Sequence, residues 1–144
     1  MIPEILATLA CGVFAGAALY INLVEHPARL SCGVTLAIAE WKPSYKRGTA
    51  MQASLALAGS VLALISWWNG KQTLWLLGGA LLFAVIPFTL IVILPTNREL
   101  QRDDLDVATA ELLLRRWNGL HAVRSALAIV AFLIFLYALQ LNRS

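Results

Sequence analysis

Gln72-Thr-Leu-Trp-Leu-Leu-Gly-Gly-Ala-Leu-Leu-Phe-Ala-Val-Ile-Pro-Phe-Thr-Leu-Ile-Val-Ile-Leu-Pro-Thr-Asn97 holds 26 residues without a charge. About 20 apolar residues cross the ~30 Å hydrocarbon core of a bilayer at 1.5 Å rise per residue, so this stretch reads as a membrane span. Three more uncharged windows follow the same rule: 20 residues between Glu4 and Glu25, 23 between Arg47 and Lys71, and 18 between Arg124 and Arg143. The four windows leave 57 of the 144 residues for loops and ends, too few for a separate soluble domain. The chain is 60% hydrophobic and 13% charged, against about 45–50% and 25% in soluble domains, and its mean hydropathy is +0.75. The fold class is therefore all-α: one integral-membrane four-helix bundle over residues 1–144, with spans expected at 5–26, 48–68, 72–95 and 106–141.

The loops set an expected orientation. Arg29, Lys42, Lys46 and Arg47 lie between spans one and two, and Arg98, Arg102, Arg115, Arg116 and Arg124 between three and four; Lys71 and Arg143 lie opposite. Retention of Lys and Arg on the inner side places both long loops in the cytoplasm and both termini outside. The net charge of +3 is explained by this bias, and no nucleic-acid partner is expected. Met1-Ile2-Pro3-Glu4 has no basic n-region, so the first span reads as retained rather than cleaved.

Both long loops are expected to carry amphipathic or interfacial helical segments. Leu30–Ala39 is apolar but too short to cross, and reads as an interfacial or re-entrant helix. Asp103-Asp104 suit a helix start, and from Asp106 a helical pattern of apolar residues runs into span four. Pro27 and Pro95 are expected to end spans one and three. Pro87, mid-span, is expected to leave the Phe83 carbonyl to a kink or to repair by a neighbour such as Thr89. Gly12 and Gly16 form a GxxxG pair expected to pack on another helix, with Leu19, Leu23 and His26 on the same face.

Ionisable residues at membrane depth are functional candidates because burying them is costly. They gather at the inner end of the bundle. Glu25 and His26 close span one; Tyr45, Lys46, Arg47 and Gln52 open span two; Asn97 follows Pro95; and Trp117, His121 and Arg124 share one helical stripe. Two histidines, Arg47, Arg124, Asn97, Gln52 and Tyr45 can thus line one cavity. Arg98 and Lys46 read instead as anchors that snorkel to phosphates, and a simple capping role for Glu25 and His26 stays open. A metal or haem is the alternative cofactor, with His26, His121 and Glu25 as ligands. The donors come from different segments and no E-x-x-H or H-x-x-x-H repeat occurs. Neither Cys11 nor Cys32 belongs to a C-x-x-C pair. A non-catalytic lipid-binding or assembly module is a further reading, and a homo-oligomer stays open.

Gly12, Gly16 and His26-Pro27 in span one, Tyr45-Lys-Arg-Gly48, Pro95-x-Asn97 and Trp117-x-x-x-His121-x-x-Arg124 together resemble the anthrone oxygenase-like family of small four-span membrane proteins. The resemblance implies a four-helix membrane bundle and the oxidation of an anthrone-like aromatic molecule by dioxygen, with no cofactor. An anthrone has an acidified C–H beside an aromatic ketone, so the chemistry needs a base, an oxyanion partner and an apolar slot. On that reading His121 or His26 is the base, Arg124 and Asn97 hold the oxyanion, and Trp117 and Tyr45 form the walls, with Arg47 and Gln52 beside the substrate.

Overall fold

The computed structural model describes residues 1–141; Arg143 of the charge pattern and Ser144 lie outside the described residues. Among the described residues the chain forms helices without strands, and four are long and apolar enough to cross a membrane. They are α1 (Ile2–Ser31), α2 (Val34–Gly70), α3 (Thr73–Leu100) and α4 (Val107–Leu141). At 28 to 37 residues each they run about 42 to 55 Å, longer than the ~30 Å hydrocarbon core. This is an integral membrane protein. The helices alternate in direction and pack as a square, α1 against α2 and α4, α3 against α2 and α4. The α1–α2 turn and the α3–α4 connection share one end, where Lys42 Nζ lies 2.6 Å from Asp103 and donates to the Arg102 carbonyl at 2.9 Å.

Small residues set the helix spacing. Ala7, Cys11, Ala15 and Ala18 of α1, Ala56 and Ala63 of α2, and Ala128, Ala131 and Ala138 of α4 are buried, while leucines and valines such as Leu57, Leu77 and Leu133 face outward. That distribution suits a bilayer, where apolar side chains gain nothing by leaving the lipid and close backbone packing holds helices together. Phe135 stacks on Trp75 at 5.2 Å, over a glycine: a Cβ at Gly78 would lie 2.5 Å from the Phe135 ring. Of the GxxxG pair only Gly12 meets a neighbour, 2.8 Å from Phe132 for a Cβ placed there. Gly16 is exposed with nothing within 4 Å, and Leu19 and Leu23 are exposed as well. The buried stripe of α1 runs instead through Ala7, Cys11, Phe14, Ala15 and Ala18, which turns Gly16 outward.

Several helix ends differ from expectation, and the same device accounts for two of them. Pro27 and Pro95 do not end their helices. A π-helical turn, Ile21–Glu25 in α1 and Thr89–Ile93 in α3, widens the ladder just before each proline, with His26 N–H donating to the Ile21 carbonyl and Leu94 N–H to that of Thr89. The helix then resumes with proline in its first turn, where a missing N–H costs nothing. Pro87 is carried within α3; the Thr89 hydroxyl donates to Val85 at 2.7 Å rather than to Phe83. The Leu30–Ala39 segment is no separate re-entrant piece. Gly33 breaks the chain at φ 90°, and from Val34 one helix runs through Pro43 to Gly70. α4 starts at Val107, where the pattern from Asp106 places it, and not at Asp103-Asp104. Asp106 caps it by accepting from the Thr109 backbone N–H at 2.9 Å and its hydroxyl at 2.6 Å, and these bonds hold the Asp106 carboxyl below the usual carboxylate range.

Candidate functional site

The long ends of all four helices enclose a polar cavity of about 30 Å³. α1 supplies Glu25 and Arg29, α2 Trp41, Tyr45 and Gln52, α3 Asn97, and α4 Trp117, His121 and Arg124. Seven of the residues singled out from sequence therefore line one space: Glu25, His121, Arg124, Asn97, Trp117, Tyr45 and Gln52. His26 is buried and is not among the residues lining this cavity; its ring lies 5.5 Å from that of Trp117, which does line it. Arg47 lies outside the cavity, in an adjoining groove.

Aromatic rings build the floor. Trp41 stacks on Tyr45 at 4.9 Å and 10°, meets Trp117 edge-on at 5.8 Å, and Trp117 in turn lies 4.8 Å from His121. The Trp41–Tyr45 pair is an i, i+4 contact on α2, and the Trp117–His121 pair its counterpart on α4. Asn97, at the end of α3, donates through Nδ2 to Tyr45 Oη at 3.3 Å. Its Oδ1, Trp41 Nε1 and Gln52 Nε2 are buried with no hydrogen-bond partner among the described residues. Such groups are costly to leave unmet.

Two arginines divide the electrostatics. Arg29, buried, pairs with both Glu25 and Glu40, and Glu25 also accepts from Ser44 Oγ at 3.0 Å. Arg124, half-buried, donates to Gln52 Oε1 and lies over the Phe14 ring at 5.4 Å. Among the described residues no carboxylate reaches it. Glu25 belongs to Arg29, and Glu99 to Arg102 at 3.3 Å. The site thus holds one neutralised cation and one that is hydrogen-bonded but not neutralised.

His121 is held from behind. Its Nδ1 is 2.8 Å from Asn22 Oδ1, which also accepts from Ser125 Oγ at 2.6 Å. Asn22, Arg29 and Trp41 were not singled out as site residues in the sequence. Asn22 carried a signal, as an amide in an apolar span one turn before His26; Arg29 and Trp41 resemble ordinary loop charge and interfacial aromatic until the long α2 folds over α1. Among the described residues no three or more His, Cys, Asp and Glu side chains come together as a metal-binding group. Glu25 is engaged by Arg29 and Ser44. Cys11 and Cys32 are both free, the first buried and the second exposed.

Beside the cavity a groove of about 530 Å³ runs between α1 and α2. Cavity and groove share Ile21, Glu25, Ser44, Gly48 and Gln52, and the outer rim of the groove carries Tyr20 and Met51, both exposed. The polar cavity holds water-sized groups, while the groove has room for a ring system.

The family model described as anthrone oxygenase matches residues 41–134, from Trp41 through the α4 stripe. No curated protein matches the chain, and no solved structure does.

Proposed function

Because the chain belongs to the anthrone oxygenase family, we propose that the polar end of this bundle oxidises a flat, anthrone-type aromatic ketone with dioxygen, His121 acting as base and Arg124 as the oxyanion partner. The observation that carries this reading is the placement of one imidazole and one un-neutralised guanidinium, three residues apart on α4, around a single cavity.

His121 takes a proton from the methylene carbon, and the electron pair moves onto the ketone oxygen. Arg124 meets the resulting oxyanion, with the unmet donor Gln52 Nε2 beside it. The electron-rich anion transfers an electron to dioxygen and couples with it at the same carbon to give a peroxide. Loss of the second hydrogen with O–O cleavage leaves a new carbonyl and one water. Carbon is oxidised and dioxygen reduced, so the balance needs no bound metal or flavin. A cavity of 30 Å³ is too small for three fused rings, so the body of the ring system lies in the adjoining groove against Tyr20 and Met51. Such a molecule arrives from the bilayer between α1 and α2.

The side of the membrane follows from charge. Arg29, Lys42, Lys46, Arg47, Arg98, Arg102, Arg115 and Arg116 belong to this end and Lys71 to the other, which supports a cytoplasmic site. The test is an oxygen-electrode assay of purified protein with an anthrone. The reading expects one dioxygen consumed per quinone formed, and a loss of about 10²-fold or more in R124Q. Absence of turnover with a folded, monodisperse protein, or parental turnover in R124Q, would overturn it.

A further inference from the structure

Asn22 reaches across from the π-helical turn of α1 to the start of the membrane-depth part of α4. Its Nδ2 lies 3.1 Å from the backbone carbonyl of Asn118 and 2.7 Å from the Asn118 side-chain oxygen. A backbone carbonyl only accepts, so the Asn22 amide has one orientation that satisfies it: nitrogen toward Asn118, oxygen toward His121 and Ser125. That oxygen in turn only accepts. Ser125 gives it one proton, at 2.6 Å, and His121 Nδ1 is the second neighbour, at 2.8 Å. Nδ1 must therefore carry a proton, and in the neutral imidazole the lone pair is on Nε2, the ring nitrogen left for the cavity that His121 lines.

We infer that Asn22 is a positioning residue which, itself oriented by Asn118, fixes His121 as the Nδ1-protonated tautomer with Nε2 as the basic atom at the cavity. The tautomer is a property of the protein alone; its consequence for rate rests on the base role proposed for His121. A neutral amide suits this task in a bilayer. It accepts from the imidazole without adding a buried charge, and its remaining three contacts, to Ser125 and to both oxygens of Asn118, tie α1 to α4 at the depth of the cavity.

The chain has two histidines, so ¹⁵N-histidine labelling in detergent gives a spectrum that H26Q assigns. The expected result is a pyrrole-type Nδ1 and a pyridine-type Nε2 for His121 in the parent. A protonated Nε2 with a bare Nδ1 would overturn the inference. N22L removes the acceptor and should release the tautomer, lowering kcat about 10²-fold with KM little changed. An N22L protein with unaltered His121 signals contradicts the assignment. If an anthrone is not the substrate, the spectra still decide the tautomer, so the two failures are distinguishable.

Discussion

The Arg124 guanidinium of α4 donates to a neutral amide oxygen, Gln52 Oε1, from α2, the helix diagonally across the bundle. The contact satisfies part of a charge-bearing fork without cancelling its charge, which leaves the attraction for an anion in place. Arg29, which lines the same cavity from α1, has two carboxylates and no such capacity. The difference between the two arginines is the electrostatic basis of the site.

This contrast makes Gln52 a sensitive position. Q52E supplies the missing counter-ion, so the protein should melt higher in detergent than the parent while turning over more slowly, because the oxyanion now competes with a resident carboxylate. Q52L removes the acceptor and should destabilise by about 1–3 kcal/mol, the cost of a buried donor left unmet. Thermal unfolding followed by circular dichroism, paired with oxygen uptake, reads both effects. A Q52E variant that melts lower and works faster would contradict the argument.

The glycines separate packing from sequence pattern. Gly78 lies under the Phe135 ring, 2.5 Å from where a Cβ would be, so G78A should cost about 1–3 kcal/mol through overpacking. Gly16 has nothing within 4 Å, and G16A should be neutral or gain up to about 1 kcal/mol from helix propensity. Melting temperatures of the two variants in the same detergent give the comparison. Equal effects would mean that the α3–α4 approach is looser than the geometry states.

Acid should loosen the start of α4. Hydrogen bonds from the Thr109 hydroxyl and N–H hold the Asp106 carboxyl below its ordinary value, so the folded form binds a proton less readily than the unfolded one. The stabilisation is present above the unfolded carboxylate value of about 3.9 and is lost as pH falls through the lower folded value. Amide exchange at Val107–Leu112 should therefore quicken, relative to the rest of α4, on acidification through that range. D106N should flatten the dependence. A D106N profile with the same acid limb would assign the effect to another group.

Much of this was legible in the residues. Charge-free windows of 18 to 26 residues decide four spans whatever the packing, and an i, i+4, i+7 stripe places Trp117, His121 and Arg124 on one face before any partner is known. The helix ends were less legible, because proline reads as a terminator unless a π-helical turn precedes it, and the wide turns at Ile21–Glu25 and Thr89–Ile93 have no marker among apolar residues. The same turn explains why His26 is buried although Leu19 and Leu23, placed on its face by regular 3.6-residue spacing, are exposed. Asn22 was hidden for another reason. Its role depends on Asn118 and Ser125, 96 and 103 residues away, and only the packing of α1 on α4 brings them to it.

The proposed chemistry stands or falls on His121. Its direct measurement is the rate of anthrone-dependent oxygen uptake by H121Q against the parent, in protein whose melting temperature shows the bundle intact. The account predicts a fall of about 10²-fold or more, the range general-base catalysis supplies. Parental uptake by folded H121Q would contradict it.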